Sequence, residues 1–129
     1  MIYVLDTHVL YWYLFEPARL SDACRRAIAE GETGKASLIV PAIVLAELYF
    51  LLSKIEVDGP LPNVVNDLQN NPNCRIEPMG LEDLLSLASY PEIPEMHDRL
   101  IVAVSQRLGG TLITKDRKIQ ASPRTDWLW

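Results

Sequence analysis

The chain has 129 residues and fits one domain, residues 1–129, long enough to bury a real core. Its 49% hydrophobic content excludes a disordered chain, and no apolar run approaches the roughly 20 residues that span a bilayer. The formal net charge of −5 argues against a generally basic nucleic-acid-binding surface, although six Lys or Arg stand against three Asp from His97 to Trp129.

The elements read as strands alternating with helices. Ile2 to Leu5 is a buried strand, closed by Asp6-Thr7. An apolar and aromatic stretch, Val9 to Phe15, is broken by Glu16-Pro17. Ser21 is a good N-cap for a helix from Asp22 to Ala29, with Gly31 placed just past its end. Ser37 to Val40 is a second strand, and Pro41 suits the first position of a helix reaching about Lys54. Asp58-Gly59-Pro60 is a turn, Asn63 to Gln69 a modest helix, and Cys74 to Glu77 a third strand. Leu81 to Ala88 repeats apolar residues at helical spacing. Asp98 to Leu108 is a strongly apolar helix stopped by Gly109-Gly110. Thr111 to Thr114 is a fourth strand, and Trp127-Leu128-Trp129 a fifth. This alternation predicts an α/β fold, a mostly parallel sheet of four to five strands with helices on both faces.

Four carboxylates stand inside or directly beside the apolar segments: Asp6, Glu47, Asp98 and Asp116. A buried carboxylate is costly unless it is paired, hydrogen-bonded or bound to a metal. Asp6 and Asp116 fall just after predicted strands, where ligands bind in open α/β sheets. Glu47 shares its helix face with Val40, Ile43, Val44 and Leu51. Each acid also has a bland reading as a cap, a turn residue or a paired surface group. Taken as a set they predict one crevice holding a divalent ion. Hard carboxylate oxygens select Mg2+, with Mn2+ able to substitute, and such ions serve phosphodiester hydrolysis. The basic residues Arg99, Arg107, Lys115, Arg117, Lys118 and Arg124 read equally as a phosphate footprint or as solvated surface. Cys24 and Cys74 are isolated and fit two buried free thiols better than a disulfide or zinc site. The start of the chain has no basic stretch ahead of an apolar one, so no signal peptide and a cytoplasmic location are expected.

The succession Leu5-Asp6-Thr7-His8, Pro41 through Leu48 with Glu47, His97-Asp98-Arg99-Leu100, and Leu112-Ile113-Thr114-Lys115-Asp116 resembles the PIN domain. It is most similar to the VapC-like ribonuclease toxins of type II toxin–antitoxin systems. The resemblance implies a three-layer α/β/α sandwich and a metal-dependent endoribonuclease, usually dimeric and inhibited by an antitoxin protein. It places Asp6, Glu47, Asp98 and Asp116 on the family's catalytic and metal-binding positions. Thr7 and Thr114 fall near positions that carry a small hydroxyl or amide residue in relatives. His8 and His97 are expected to be structural or supporting, because a metal-activated water needs no imidazole. Arg99 is placed either on phosphate or against an acid. The aromatic residues Tyr11, Trp12, Tyr13, Phe15, Tyr49 and Phe50 are divided between core packing and an interface with a second subunit or an antitoxin.

Two other classes stay open at this point. A catalytically inactive PIN-like module that binds RNA or protein would share the fold, although retention of all four acids argues against it. A haloacid-dehalogenase-like phosphatase would need an Asp where His8 stands, and a receiver domain an acidic pair that the first strand does not offer.

Overall fold

The apolar runs become strands because a parallel sheet covered on both faces buries alternate side chains equally. In the computed structural model, which describes residues 1–55 and 61–129, the strands are β1 (Ile2–Leu5), β2 (Ser37–Pro41), β3 (Cys74–Glu77), β4 (Thr111–Ile113) and β5 (Trp127–Leu128). They form one sheet of order β3-β2-β1-β4-β5, and every neighbouring pair is parallel. The helices are α1 (Thr7–Phe15), α2 (Asp22–Glu32), α3 (Ala42–Ile55), α4 (Leu61–Gln69), α5 (Leu81–Leu85), α6 (Met96–Leu108) and α7 (Arg117–Gln120). They flank the sheet in an α/β/α arrangement, with α3 packed against both α1 and α6. The core joins Leu5, Leu10, Ile39, Leu48, Ile101 and Ile113 in one cluster.

Several boundaries differ from the sequence reading. Helix α2 continues through Gly31, which lies against the Leu38 side chain of β2, and ends at Glu32 with Thr33 as its C-cap. The glycine that turns the chain there is Gly34, at φ 77°. Pro41 closes β2 rather than opening α3, so Val40 belongs to a strand and shares no helix face with Glu47. Asp98 sits in the first turn of α6 with Glu95 at the N-cap, so it is not the capping residue. Helix α7 has no counterpart in the expected elements. The turn at Asp58-Gly59-Pro60 lies outside the described residues. Cys24 and Cys74 are free, the first buried and the second half-buried.

The apolar side chains of α5 do not join the core, since Leu81, Leu84 and Leu85 are exposed. Its anchor is polar instead. Asp83, 1% exposed, accepts from Gly80 N and from Arg107 Nε and Nη2 at 2.9, 2.8 and 3.0 Å. Arg107 Nη1 also donates to Glu77 at 2.8 Å, tying α6 to β3. Burial pushes the Asp83 carboxyl up, but the Arg107 and Gly80 hydrogen bonds and the Arg107 charge outweigh it and hold it below the usual range. Arg107→Met leaves that buried carboxylate without its cation, holding only the Gly80 amide, and is expected to cost about 3 kcal/mol in urea denaturation at pH 7. A loss under about 1 kcal/mol would mean that α5 is anchored by other contacts.

Candidate active site

The strand order places the crevice. The chain steps from β1 outward to β2 and β3, then crosses back to β4 on the other side of β1. Adjacent strands whose connections leave in opposite directions open a gap beyond their carboxyl ends. Asp6 directly follows β1 and Asp116 lies three residues past β4, so both stand at that gap. Glu47 reaches it from α3 and Asp98 from the first turn of α6. All four predicted acids line a single cavity of about 400 Å3.

Hydroxyl groups orient two of the acids. Asp6, 7% exposed, accepts from Thr7 N at 2.7 Å and from Thr114 Oγ1 at 2.6 Å. Thr114 Oγ1 in turn accepts from Asp116 N at 3.0 Å, linking the two strand-end acids through one hydroxyl. Thr7 Oγ1 donates to Glu47 Oε1 at 2.7 Å. Asp116 also accepts from Lys118 N and Ile119 N, and so caps the short helix α7.

The acids share one electrostatic field. Burial pushes Asp98 up to about 7, reinforced by the negative charges of Asp6, Asp116, Glu47 and Glu95. Burial raises Asp6 against the hydrogen bonds from Thr114 and Thr7, and raises Glu47 against the Thr7 bond and the neighbouring His97. Among the described residues, no three His, Cys, Asp or Glu are gathered closely enough to enclose an ion as they stand. The set expected to close round one ion thus shares a crevice without forming a cage.

The other predicted residues fall in varied settings. Arg99 pairs with no acid among the described residues; its guanidinium donates to Ile93 O at 2.5 Å and Leu87 O at 3.0 Å, fastening the loop before α6. His97 Nδ1 lies 3.0 Å from Glu95 and 4.0 Å from Glu47. His8 is exposed and packs on Trp12, ring centres 5.8 Å apart. Of the expected basic footprint, Arg107 is engaged by Asp83 and Glu77, whereas Lys115 lines the acid cavity. Arg117 and Lys118 line a neighbouring hollow of about 570 Å3 that also includes Asp98 and Asp116. Sequence reasoning missed Glu95, a fifth carboxylate on the wall. Its signal was slight, three residues ahead of Asp98 in a proline-containing loop.

The five-stranded parallel sheet has acids converging at its switch point, and a profile of the PIN domain matches residues 3–124. The chain belongs to the PIN domain family. Across 98% of its length it is 34% identical to Ribonuclease VapC22 of Mycobacterium tuberculosis, covering 97% of that protein, and it is VapC-like in this sense. Among solved structures it resembles VapBC2 from Rickettsia felis bound to a promoter DNA fragment, with a TM-score of 0.72 at 20% identity, covering 99% of this chain and 98% of that one. It also resembles the sarcin-ricin loop cleaving toxin VapC20 of Mycobacterium tuberculosis, with a TM-score of 0.65 at 17% identity and 95% of each chain covered. These two likenesses confirm the α/β/α fold. No helix among the described residues is long and apolar enough to cross a membrane.

Proposed function

We propose that this chain is a magnesium-dependent endoribonuclease, the toxin of a toxin–antitoxin pair, and that Asp6, Glu47, Asp98 and Asp116 are its catalytic and metal-binding residues. One observation carries the reading. Four acids drawn from positions 6 to 116 line one cavity, where their mutual repulsion calls for a cation. Each of these four donors is a hard carboxylate oxygen, which favours Mg2+ or Mn2+ over zinc. Such an ion takes one or two carboxylates and keeps several waters, so a tight protein cage is not needed. When bound, it supplies Lewis acidity at the phosphate and acidifies an attacking water.

The side chains supply position and charge. Asp6 is the most tightly held, through Thr114 and the Thr7 amide, and gives the site its fixed point. Thr7 aims Glu47 from the facing helix. Asp98 and Asp116 complete the acidic wall beside a hollow lined by Arg117 and Lys118, which suits a passing phosphate backbone. The relative named as a ribonuclease supports nuclease activity. The likeness to a VapBC complex supports an antitoxin partner, and exposed Tyr49 and Phe50 on α3 offer apolar surface for it or for a second subunit.

Purified protein incubated with total RNA tests this reading. Cleavage is expected with Mg2+ or Mn2+, is expected to stop on addition of EDTA, and should return with excess Mg2+. The looseness of the acid cluster favours one other reading, a PIN-like module that binds RNA or protein without turnover. Stable RNA binding with no new RNA ends under either ion would establish that reading instead.

A further inference from the structure

We infer that Lys115 binds a substrate phosphate beside the scissile one, and that Trp12 and Trp129 hold its ammonium ready for that contact. The inference rests on the ribonuclease reading and adds how the same crevice grips single-stranded RNA. An acidic pocket repels a polyanion everywhere except at its metal, so a second point of attraction on the wall is needed.

Lys115 is the single Lys or Arg among the described residues lining the acid cavity. Five carboxylates line the same cavity, yet among the described residues Lys115 forms no ion pair with any of them. Its Nζ instead lies 5.7 Å from the centre of the Trp12 ring and 5.6 Å from that of Trp129. The two rings pack on each other at 5.4 Å with planes 58° apart, so they make one corner. Arg19 also lies over Trp12, its guanidinium carbon 5.1 Å from the ring centre, and is itself paired with Glu16 at 3.1 Å.

Aromatic faces attract an ammonium without consuming its N–H donors. The clamp therefore fixes the charge of Lys115 while leaving its hydrogen bonds for an incoming oxygen. It also keeps the cation from neutralising the acids, which stay free for a metal. Lys115 is exposed, so an RNA strand entering the cavity reaches it without displacing any part of the fold.

The test uses a fluorescein-labelled single-stranded RNA of mixed sequence with the parent, Lys115→Gln, Lys115→Arg and Trp129→Leu. Cleavage is measured with Mg2+, and binding by anisotropy across a salt series with Ca2+ in its place. Lys115→Gln is expected to raise KM and Kd about tenfold with little change in kcat. It should also reduce the slope of log Kd against log salt by about 0.7, the loss of one single-strand phosphate contact. Lys115→Arg should restore the slope. Trp129→Leu should raise Kd about threefold at an unchanged slope, because the charge remains and only its placement is lost. Unchanged KM, Kd and slope in Lys115→Gln overturn the phosphate contact, and an unchanged Kd in Trp129→Leu overturns the clamp. A parent that binds this RNA without cutting it defeats the ribonuclease reading, while the salt slopes still judge Lys115. A parent that neither binds nor cuts it overturns both.

Discussion

Asp6→Asn is expected to lower RNA cleavage by about a thousandfold or more, near 4 kcal/mol in the barrier, while the protein stays folded. Asp6 is the acid most firmly oriented, and its two oxygens are already assigned to the Thr7 amide and the Thr114 hydroxyl. Asparagine keeps the shape and the oxygen facing Thr7 but removes the charge that would hold a cation. Because burial already works against ionisation of Asp6, a neutral amide there does not strain the fold. Thr114→Val provides the graded comparison. It keeps the volume, removes the hydroxyl that bridges Asp6 and Asp116, and should cost about 10- to 100-fold, as for groups that orient metal ligands. Rates are measured on one RNA at saturating Mg2+, with melting temperature as the control for folding. A folded Asp6→Asn protein that cleaves within tenfold of the parent would falsify the assignment.

The second large effect is on stability without metal. Asp98 is pushed up to about 7 in the folded chain, against 3.8 for a free carboxyl. Between these values the folded state binds more protons than the unfolded state, so this group makes stability fall as pH rises. The penalty starts to build near pH 4 and is complete above about pH 7. Asp6 and Glu47, also raised, act in the same direction. For a half-buried, solvent-screened Asp98 the penalty is about 2 kcal/mol at pH 8. Asp98→Asn should therefore be more stable than the parent in EDTA at pH 8 by about that amount, with the gap narrowing toward pH 4. Mg2+ should stabilise the parent more than the variant, because only the parent has the full charge to neutralise. Urea denaturation at both pH values, with EDTA or Mg2+, reads all four quantities. A variant no more stable than the parent at pH 8 would show that burial and the neighbouring acids together do not raise Asp98 in the folded chain.

Much of the fold was legible in the chain because a parallel sheet writes itself as continuous apolar runs. The bounds of β1 and β3 follow directly from Ile2–Leu5 and Cys74–Glu77, and the apolar stretch ended by Gly109 marks α6 within two residues. The four acids stood out for the same reason, since charge inside apolar sequence has to be explained by something. Local pattern failed where local pattern was not in control. The helical spacing of Leu81, Leu84 and Leu85 predicted a helix but not that its apolar residues would be exposed, because α5 is anchored through Asp83 and Arg107. Helix α7 is one turn of Arg-Lys-Ile-Gln and depends on the Asp116 cap rather than on periodicity.

The sequence alone settled that strands and helices alternate, which acids are out of place among apolar residues, and which family these motifs resemble. Hydropathy and backbone period are local properties, so they can be read along the chain. Only the tertiary structure decided how the groups meet. Thr114 reaches Asp6 across 108 residues and Thr7 reaches Glu47 across 40, because β4 docks beside β1 and α3 packs on α1. The same docking sends Arg99 to two backbone carbonyls, brings Glu95 onto the acid wall, and lays Lys115 in the corner between Trp12 and Trp129. Those partners are fixed by strand order and helix packing, which no spacing of residue types along a single chain specifies.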